Sequence, residues 1–82
     1  MKAVIVDEHD DFGTLIEGPK DIIESLNTYL VEFDRYGHPM CWGGEEFVDF
    51  LNNVILKDRK EKVTIIELYT DGYDRTLRKL RI

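Results

Sequence analysis

Residues 2–7 have the sequence KAVIVD, and this stretch decides the architecture that the rest of the chain must adopt. Val4, Ile5 and Val6 are β-branched, which predicts a β-strand. Successive side chains of a strand point to opposite faces of its sheet, so the apolar centre of this strand would be buried on both faces. We therefore expect an interior strand of a sheet.

A second, shorter strand is predicted for residues 12–17 (FGTLIE). The intervening residues 7–11 (DEHDD) are polar and typical of turns. A hairpin is the shortest connection between two such strands. Gly18 and Pro19 then end the second strand.

Two amphipathic helices are expected next. The first covers about residues 19–36, begins at Pro19, and has an apolar stripe made of Ile22, Leu26, Tyr29, Leu30 and Phe33. The second covers about residues 44–57, and its stripe is made of Phe47, Leu51, Val54 and Ile55. Residues 38–44 form the loop between them.

The last two elements are expected to be strands at residues 63–70 and 73–82, joined by a turn at Asp71-Gly72. The turn has either two or three residues. The three-residue form is favoured because it pairs the residues of the two strands by type, as Ile65 with Leu77, Glu67 with Arg75 and Tyr69 with Tyr73. Tyr73, Leu77 and Leu80 also fit helical spacing, so a helix is the alternative for the last element.

The order of elements is therefore β-β-α-α-β-β. It predicts an α+β fold in which two helices pack on one face of a four-stranded, mostly antiparallel sheet. With 82 residues, the chain has the length of a single small globular domain.

Composition excludes several classes of protein. Hydrophobic residues make up 43% and charged residues 34%, which is typical of a folded domain rather than a disordered chain. No apolar stretch approaches the ~20 residues that span a membrane. The single cysteine cannot form an internal disulfide, and no secretory signal is recognisable, so we expect a cytoplasmic protein.

Charge is divided unevenly along the chain. Residues 1–56 contain 12 acidic and 3 basic side chains, whereas residues 57–82 contain 5 acidic and 8 basic ones, and the net charge is −6. Such asymmetry bears on partners rather than on the fold. It predicts either an acidic face that docks on a basic partner, or charges that serve only to keep the domain soluble.

The densest acidic cluster lies in the first turn, at Asp7, Glu8, Asp10 and Asp11. Clustered carboxylates suit a docking patch for Lys or Arg side chains, and an ordinary solvated turn is the structural alternative. A metal site is less favoured because the spacing lacks the alternating ligands, central glycine and distant glutamate of a calcium-binding loop.

Further candidate contacts lie around the second helix. Glu45, Glu46 and Asp49 extend the acidic face, and Trp42 is either an interface anchor or a cap on the core. His9, His38 and Cys41 do not complete the four ligands of a zinc site. The basic residues Arg75, Arg78, Lys79 and Arg81 are interpreted as a self-complementary surface rather than a nucleic-acid site, because the chain as a whole is acidic.

These observations favour a non-enzymatic protein-binding module, of inhibitor or adaptor type, with no cofactor, no metal and no catalytic residue. Its partner would be a basic protein surface, such as one that binds nucleic acid, with no direct contact to nucleic acid or membrane. In size and charge alone, the chain is similar to the small acidic inhibitors that phages and toxin–immunity systems direct against nucleases. The alternative is a self-associating assembly protein that forms homo-oligomers, and a metal-dependent protein or enzyme is the least favoured class.

Overall fold

The computed structural model describes residues 1–7, 11–35 and 43–82. Along these residues the elements are the strands β1 (Lys2–Val6) and β2 (Gly13–Glu17), the helices α1 (Lys20–Ile23), α2 (Leu26–Arg35) and α3 (Gly44–Phe50), a π-helical segment (Leu51–Ile55), and the strands β3 (Thr64–Thr70) and β4 (Arg78–Arg81).

The four strands form one mixed sheet in the order β3-β2-β1-β4. β1 pairs antiparallel with β2, and β2 pairs antiparallel with β3, but β4 lies parallel to β1. The α+β class and the β1–β2 hairpin are therefore confirmed. The expected mostly antiparallel character holds for only part of the sheet.

β1 is an interior strand, as its sequence predicts. Ala3 and Ile5 belong to the main hydrophobic core, whereas Val4 and Val6 lie in a second cluster together with Tyr73. These four residues of β1 are almost completely inaccessible to solvent. Each face of this strand is therefore covered by a different part of the chain.

The main core lies between the sheet and the helices. Three aromatic rings occupy its centre: Phe33 from α2 lies with its ring centroid 5.4 Å from Phe47 and 5.2 Å from Phe50 of α3. Edge-to-face and tilted ring pairs of this kind each add about 0.5–1.5 kcal/mol beyond the burial of their area. These contacts fix α2 against α3.

The first helical region is less regular than expected. Instead of one helix over residues 19–36, the chain forms α1 and α2 with a break at Glu24 and Ser25. The Ser25 amide donates to the Ile22 carbonyl at 3.0 Å, which is the tighter spacing of a 3₁₀ turn. The break lets Ile23 and Leu26 both enter the core.

The second helical region agrees with the expected range of 44–57. α3 continues into the π-helical segment, in which the Leu56 amide donates to the Leu51 carbonyl at 2.8 Å. This bond spans five residues instead of the four of an α-helix, so the helical turn is wider at this point. Leu51 and Leu56 are both buried in the core.

The expected C-terminal hairpin is wrong. β3 and β4 lie at opposite edges of the sheet and do not pair with each other, so the proposed cross-strand pairs of Ile65 with Leu77, Glu67 with Arg75 and Tyr69 with Tyr73 do not form. The last strand is also shorter than residues 73–82, because it begins only at Arg78.

Residues 71–77 instead cross the sheet on the face opposite the helices. Tyr73 is buried there against Val4 and Val6, and its ring lies directly over Gly13. The physical reason is that an interior β1 has two apolar faces, whereas the helices cover only one. A hairpin between β3 and β4 would leave Val4 and Val6 exposed.

Gly13 provides the space for this crossover. A Cβ atom at this position would lie 2.4 Å from Cγ2 of Val4 and 2.9 Å from the Tyr73 ring. We expect Gly13→Ala to destabilise the fold by about 1–3 kcal/mol through overpacking, measured by denaturant unfolding. Gly72→Ala is the matched control, since its nearest atom would be Oγ1 of Thr70 at 3.5 Å, and a loss as large as that of Gly13→Ala would contradict this packing.

A salt bridge joins α1 to the connector that precedes β3. Arg59 donates to the Asp21 carboxylate at 2.8 Å, and this hydrogen bond holds the pKa of Asp21 below its ordinary value of 3.8. A lowered carboxyl pKa contributes stability above the ordinary value, and the contribution is lost as the pH falls through the value in the folded chain.

We therefore expect the free energy of unfolding of Asp21→Asn to lie below that of the original chain at neutral pH. The difference should disappear as the pH falls below 3.8. Urea unfolding at a series of pH values measures it, and Arg59→Gln, which also removes the ion pair with Glu61, should be destabilised at neutral pH as well. A difference that is constant across this pH range would contradict the role of the ion pair.

Candidate functional site

The β1–β2 turn, in which the first predicted acidic residues lie, is at the end of the sheet where β1 ends, β2 begins and β3 ends. Asp7 and Asp11 close the β1–β2 turn, in which the Asp11 amide donates to the Asp7 carbonyl at 3.0 Å. We call this end of the molecule the acidic end. Glu8, Asp10 and Trp42 also belong to the predicted contact surface, and they lie outside the described residues.

Asp11 is engaged by the crossover. Arg75 lies with Nη1 3.6 Å from the Asp11 carboxylate and stacks over the Tyr73 ring, with Cζ 4.0 Å from the ring centroid. The Tyr73 hydroxyl donates to the Asp11 carbonyl at 3.3 Å. Asp11 has a left-handed backbone with φ of 60°, which aspartate tolerates better than most residues. One predicted contact residue therefore already has a cationic neighbour.

The start of α3 provides the second group of carboxylates. Gly43 precedes the helix, and its amide donates to Oε2 of Glu46 at 2.9 Å. Such a bond satisfies one of the free amides at a helix start. Glu45, Glu46 and Asp49 are all exposed, and none has a salt bridge with any Lys or Arg of the described ranges.

A groove of about 290 Å³ lies between the start of α3 and the end of β3. One wall is acidic and the other is apolar and aromatic. The described residues that line it are Thr14, Gly43, Gly44, Glu45, Glu46, Leu68 and Tyr69. Asp49 lies on the same helix but does not line the groove.

Thr14 lies deep in this groove. It is only 5% exposed, and its Oγ1 faces α3, where a Cβ atom on Gly44 would approach it to 3.2 Å. The absence of a side chain at Gly44 thus leaves room beside the hydroxyl. Within residues 1–7, 11–35 and 43–82, no hydrogen-bond partner lies within reach of Thr14 Oγ1.

The apolar wall is shaped by bulges in β3. Between Gly13 and Leu15, β2 has one residue where β3 has two, Leu68 and Tyr69. An extra residue of this kind bends a strand and changes the direction of its side chains. Tyr69 takes a left-handed backbone with φ of 50°, an uncommon and strained conformation for an aromatic residue.

Phe12 links the acidic turn to the groove. It follows Asp11 in the chain, and its ring packs edge-to-face on Tyr69 with centroids 4.9 Å apart. The turn and the groove are thereby joined by one aromatic contact. That the two acidic stretches share a binding face stays a prediction.

The described part of the chain contains no group of three or more His, Cys, Asp or Glu side chains that could hold a metal ion. No helix in that part is long and apolar enough to cross a membrane. His9, His38 and Cys41 lie outside the described residues.

Comparison with known proteins identifies no relative. No protein-family model, no curated protein and no solved structure matches the chain. The function must therefore be inferred from the site itself.

Sequence analysis missed three residues of the groove: Thr14, Leu68 and Tyr69. Thr14 is an ordinary strand residue until the fold places it beside Gly44. Leu68 and Tyr69 were assigned to a regular strand, and a bulge has no sequence signature in this stretch. The Gly43-Gly44 pair before the helix was the available signal, because two residues without side chains indicate a close approach or an open space.

The two neighbouring glutamates of the groove differ in structural role. We expect Glu46→Ala to destabilise the chain by about 1 kcal/mol, because the Gly43 amide loses its hydrogen-bond acceptor. Glu45→Ala is the matched control and should leave stability nearly unchanged. Thermal unfolding of both variants measures the effect. Equal losses in both variants would show that the bond from Gly43 does not stabilise the helix start.

Proposed function

We propose that this chain is a non-enzymatic protein-binding module that docks its acidic end on a basic protein surface. The observation that carries the proposal is that the start of α3, through Gly44, lies beside Thr14 at the beginning of β2, which directly follows the acidic turn. Glu45, Glu46 and Asp49 point into solvent there without a described salt bridge. Carboxylates without a salt bridge in the described ranges are available to basic side chains of a partner.

The charge distribution supports this orientation. At the opposite end of the sheet, where β1 begins, Lys2 pairs in register with Glu17, and Arg59 binds both Asp21 and Glu61. Acidic side chains at that end are thus largely balanced by basic neighbours. Glu45, Glu46 and Asp49 have no such basic neighbour in the described ranges, and the net charge of −6 would help to steer a basic partner towards them.

The groove gives this surface more than charge. Leu68 and Tyr69 are each 52% exposed, so both side chains are accessible to a partner. Tyrosine is enriched among the residues that dominate binding energy at protein interfaces. An apolar wall beside an acidic one fits a partner surface on which basic side chains surround an apolar contact.

Basic protein surfaces of this kind commonly bind nucleic acid, whose phosphates require Lys and Arg. An acidic module that covers such a surface competes with nucleic acid and acts as an inhibitor or adaptor. This part of the proposal rests on charge complementarity and on the small size of the chain.

Self-assembly through the sheet edges is the second candidate, and the edges favour it less. β4 carries Arg78, Lys79 and Arg81 on its exposed positions, and exposed charges on an edge strand oppose strand addition. β3 exposes Ile66 and Leu68, but its two register shifts interrupt the regular ladder that another strand needs.

The test begins with affinity capture of a basic partner on the immobilised chain and measures the association rate at several salt concentrations. We expect this rate to fall by about tenfold or more between low and physiological salt. The triple variant Glu45→Gln, Glu46→Gln and Asp49→Asn should weaken binding by about 1–2 kcal/mol, because each lost exposed charge contributes a fraction of this amount.

A charge-matched control separates local docking from net charge. The control removes the same number of negative charges from exposed positions outside the groove and the acidic end, through Glu17→Gln, Asp34→Asn and Asp58→Asn. We expect this control to bind nearly as the original chain does. Equal weakening by both triple variants, or an association rate that is independent of salt, would overturn the proposal.

A further inference from the structure

We propose that the groove between α3 and β3 binds the guanidinium group of one arginine side chain from the basic partner. This inference rests on the proposed docking function and names the group that the surface recognises. It starts from Thr14, which lines the groove, is only 5% exposed, and has a hydroxyl that faces Gly44 without a hydrogen-bond partner in the described ranges.

A buried hydroxyl without a partner is costly in a folded protein, because it has lost its hydrogen bonds to water. Thr14 is surrounded by Gly44 and by the open volume of the groove, so a bound group could reach its Oγ1. A ligand that donates a hydrogen bond there would satisfy an atom that the fold leaves unsatisfied.

The charge of the groove selects a cation. Glu45 and Glu46 line one wall, and the carboxylate of Glu46 uses one oxygen, Oε2, for the Gly43 amide. The other oxygen of Glu46 and both oxygens of Glu45 have no described partner. An anionic ligand would meet these carboxylates at close range, whereas a cationic donor can bind them and Thr14 together.

The opposite wall favours guanidinium over ammonium. Tyr69 presents an exposed ring, and Leu68 offers an apolar surface for the methylene groups of a long side chain. A guanidinium is planar, stacks on aromatic rings, and donates to carboxylates through several N–H groups at once. An ammonium acts as a compact point charge and gains less from the ring.

Two of these components, an aromatic ring and a carboxylate, already bind an arginine within the chain. Arg75 stacks over Tyr73 and lies 3.6 Å from the Asp11 carboxylate. The groove repeats this combination with Tyr69 and the two glutamates, but holds no described arginine. With about 290 Å³, it has room for one arginine side chain.

The test uses a small probe, so that it does not depend on identifying the partner. The isotope-labelled chain is titrated with N-acetyl-arginine amide and followed by NMR. We expect saturable shifts at the amides of Thr14, Gly44 and Tyr69. N-acetyl-citrulline amide, which has nearly the same shape without the charge, should produce no saturable shift at these positions.

Three variants assign the contacts. Glu45→Gln should weaken binding of the arginine probe by about threefold to fivefold, as expected for one exposed charge pair. Thr14→Val should also weaken it, while the unfolding midpoint stays equal or rises because an unsatisfied hydroxyl is replaced by a methyl group. Asp49→Asn, on the same helix but outside the groove, should bind the probe like the original chain.

The inference is overturned if the arginine probe gives no saturable shift, if citrulline binds equally well, or if the shifts lie away from the groove. Equal or tighter binding of N-acetyl-lysine amide would overturn the selection of guanidinium. These outcomes are independent of the docking function. The docking function would still be supported if a partner binds in a way that depends on salt and on the acidic end while no arginine binds in the groove.

Discussion

The burial of β1 on both faces is the constraint on which the rest of the structure depends. Ala3 and Ile5 require the helices on one side, whereas Val4 and Val6 require the crossover and Tyr73 on the other. The interior position also requires a partner strand on each edge, which β2 and β4 provide. Gly13 follows from the same demand, because only a residue without a side chain leaves room for the Tyr73 ring.

Local patterns predicted the individual elements better than their arrangement. The β-branched run of β1 and the apolar stripes of the helices depend on nearby residues, so the interior strand and the range of the second helical region were expected correctly. The partner of β4 depends on residues more than seventy positions away, at Ala3 and Val6. Asp71-Gly72 has the composition of a tight turn, and burial of Tyr73 outweighs that local preference.

The candidate site divides in the same way. Glu45, Glu46 and Asp49 could be chosen from the sequence, because charge clusters and helix starts are local features. The groove could not, because it arises where a bulge in β3 meets Gly44 and Thr14 across the sheet. The acidic residues favour a ligand with a positive charge. The shape of the groove depends on the buried hydroxyl of Thr14 and on the position of Tyr69 in the bulge, and composition does not predict that shape.

The parallel pairing of β4 with β1 also has a consequence for how the protein folds. Ala3 meets Arg78, so the loop that closes when β4 docks contains almost the whole chain. Contacts between residues so distant in sequence slow folding, because the entropy of the loop is lost before the contact stabilises the structure. Until that step, the edge of β1 that β4 covers is open, and its apolar residues are accessible to other unfolded chains. By pairing with β1, the last strand covers an edge whose amide and carbonyl groups could otherwise pair with another chain.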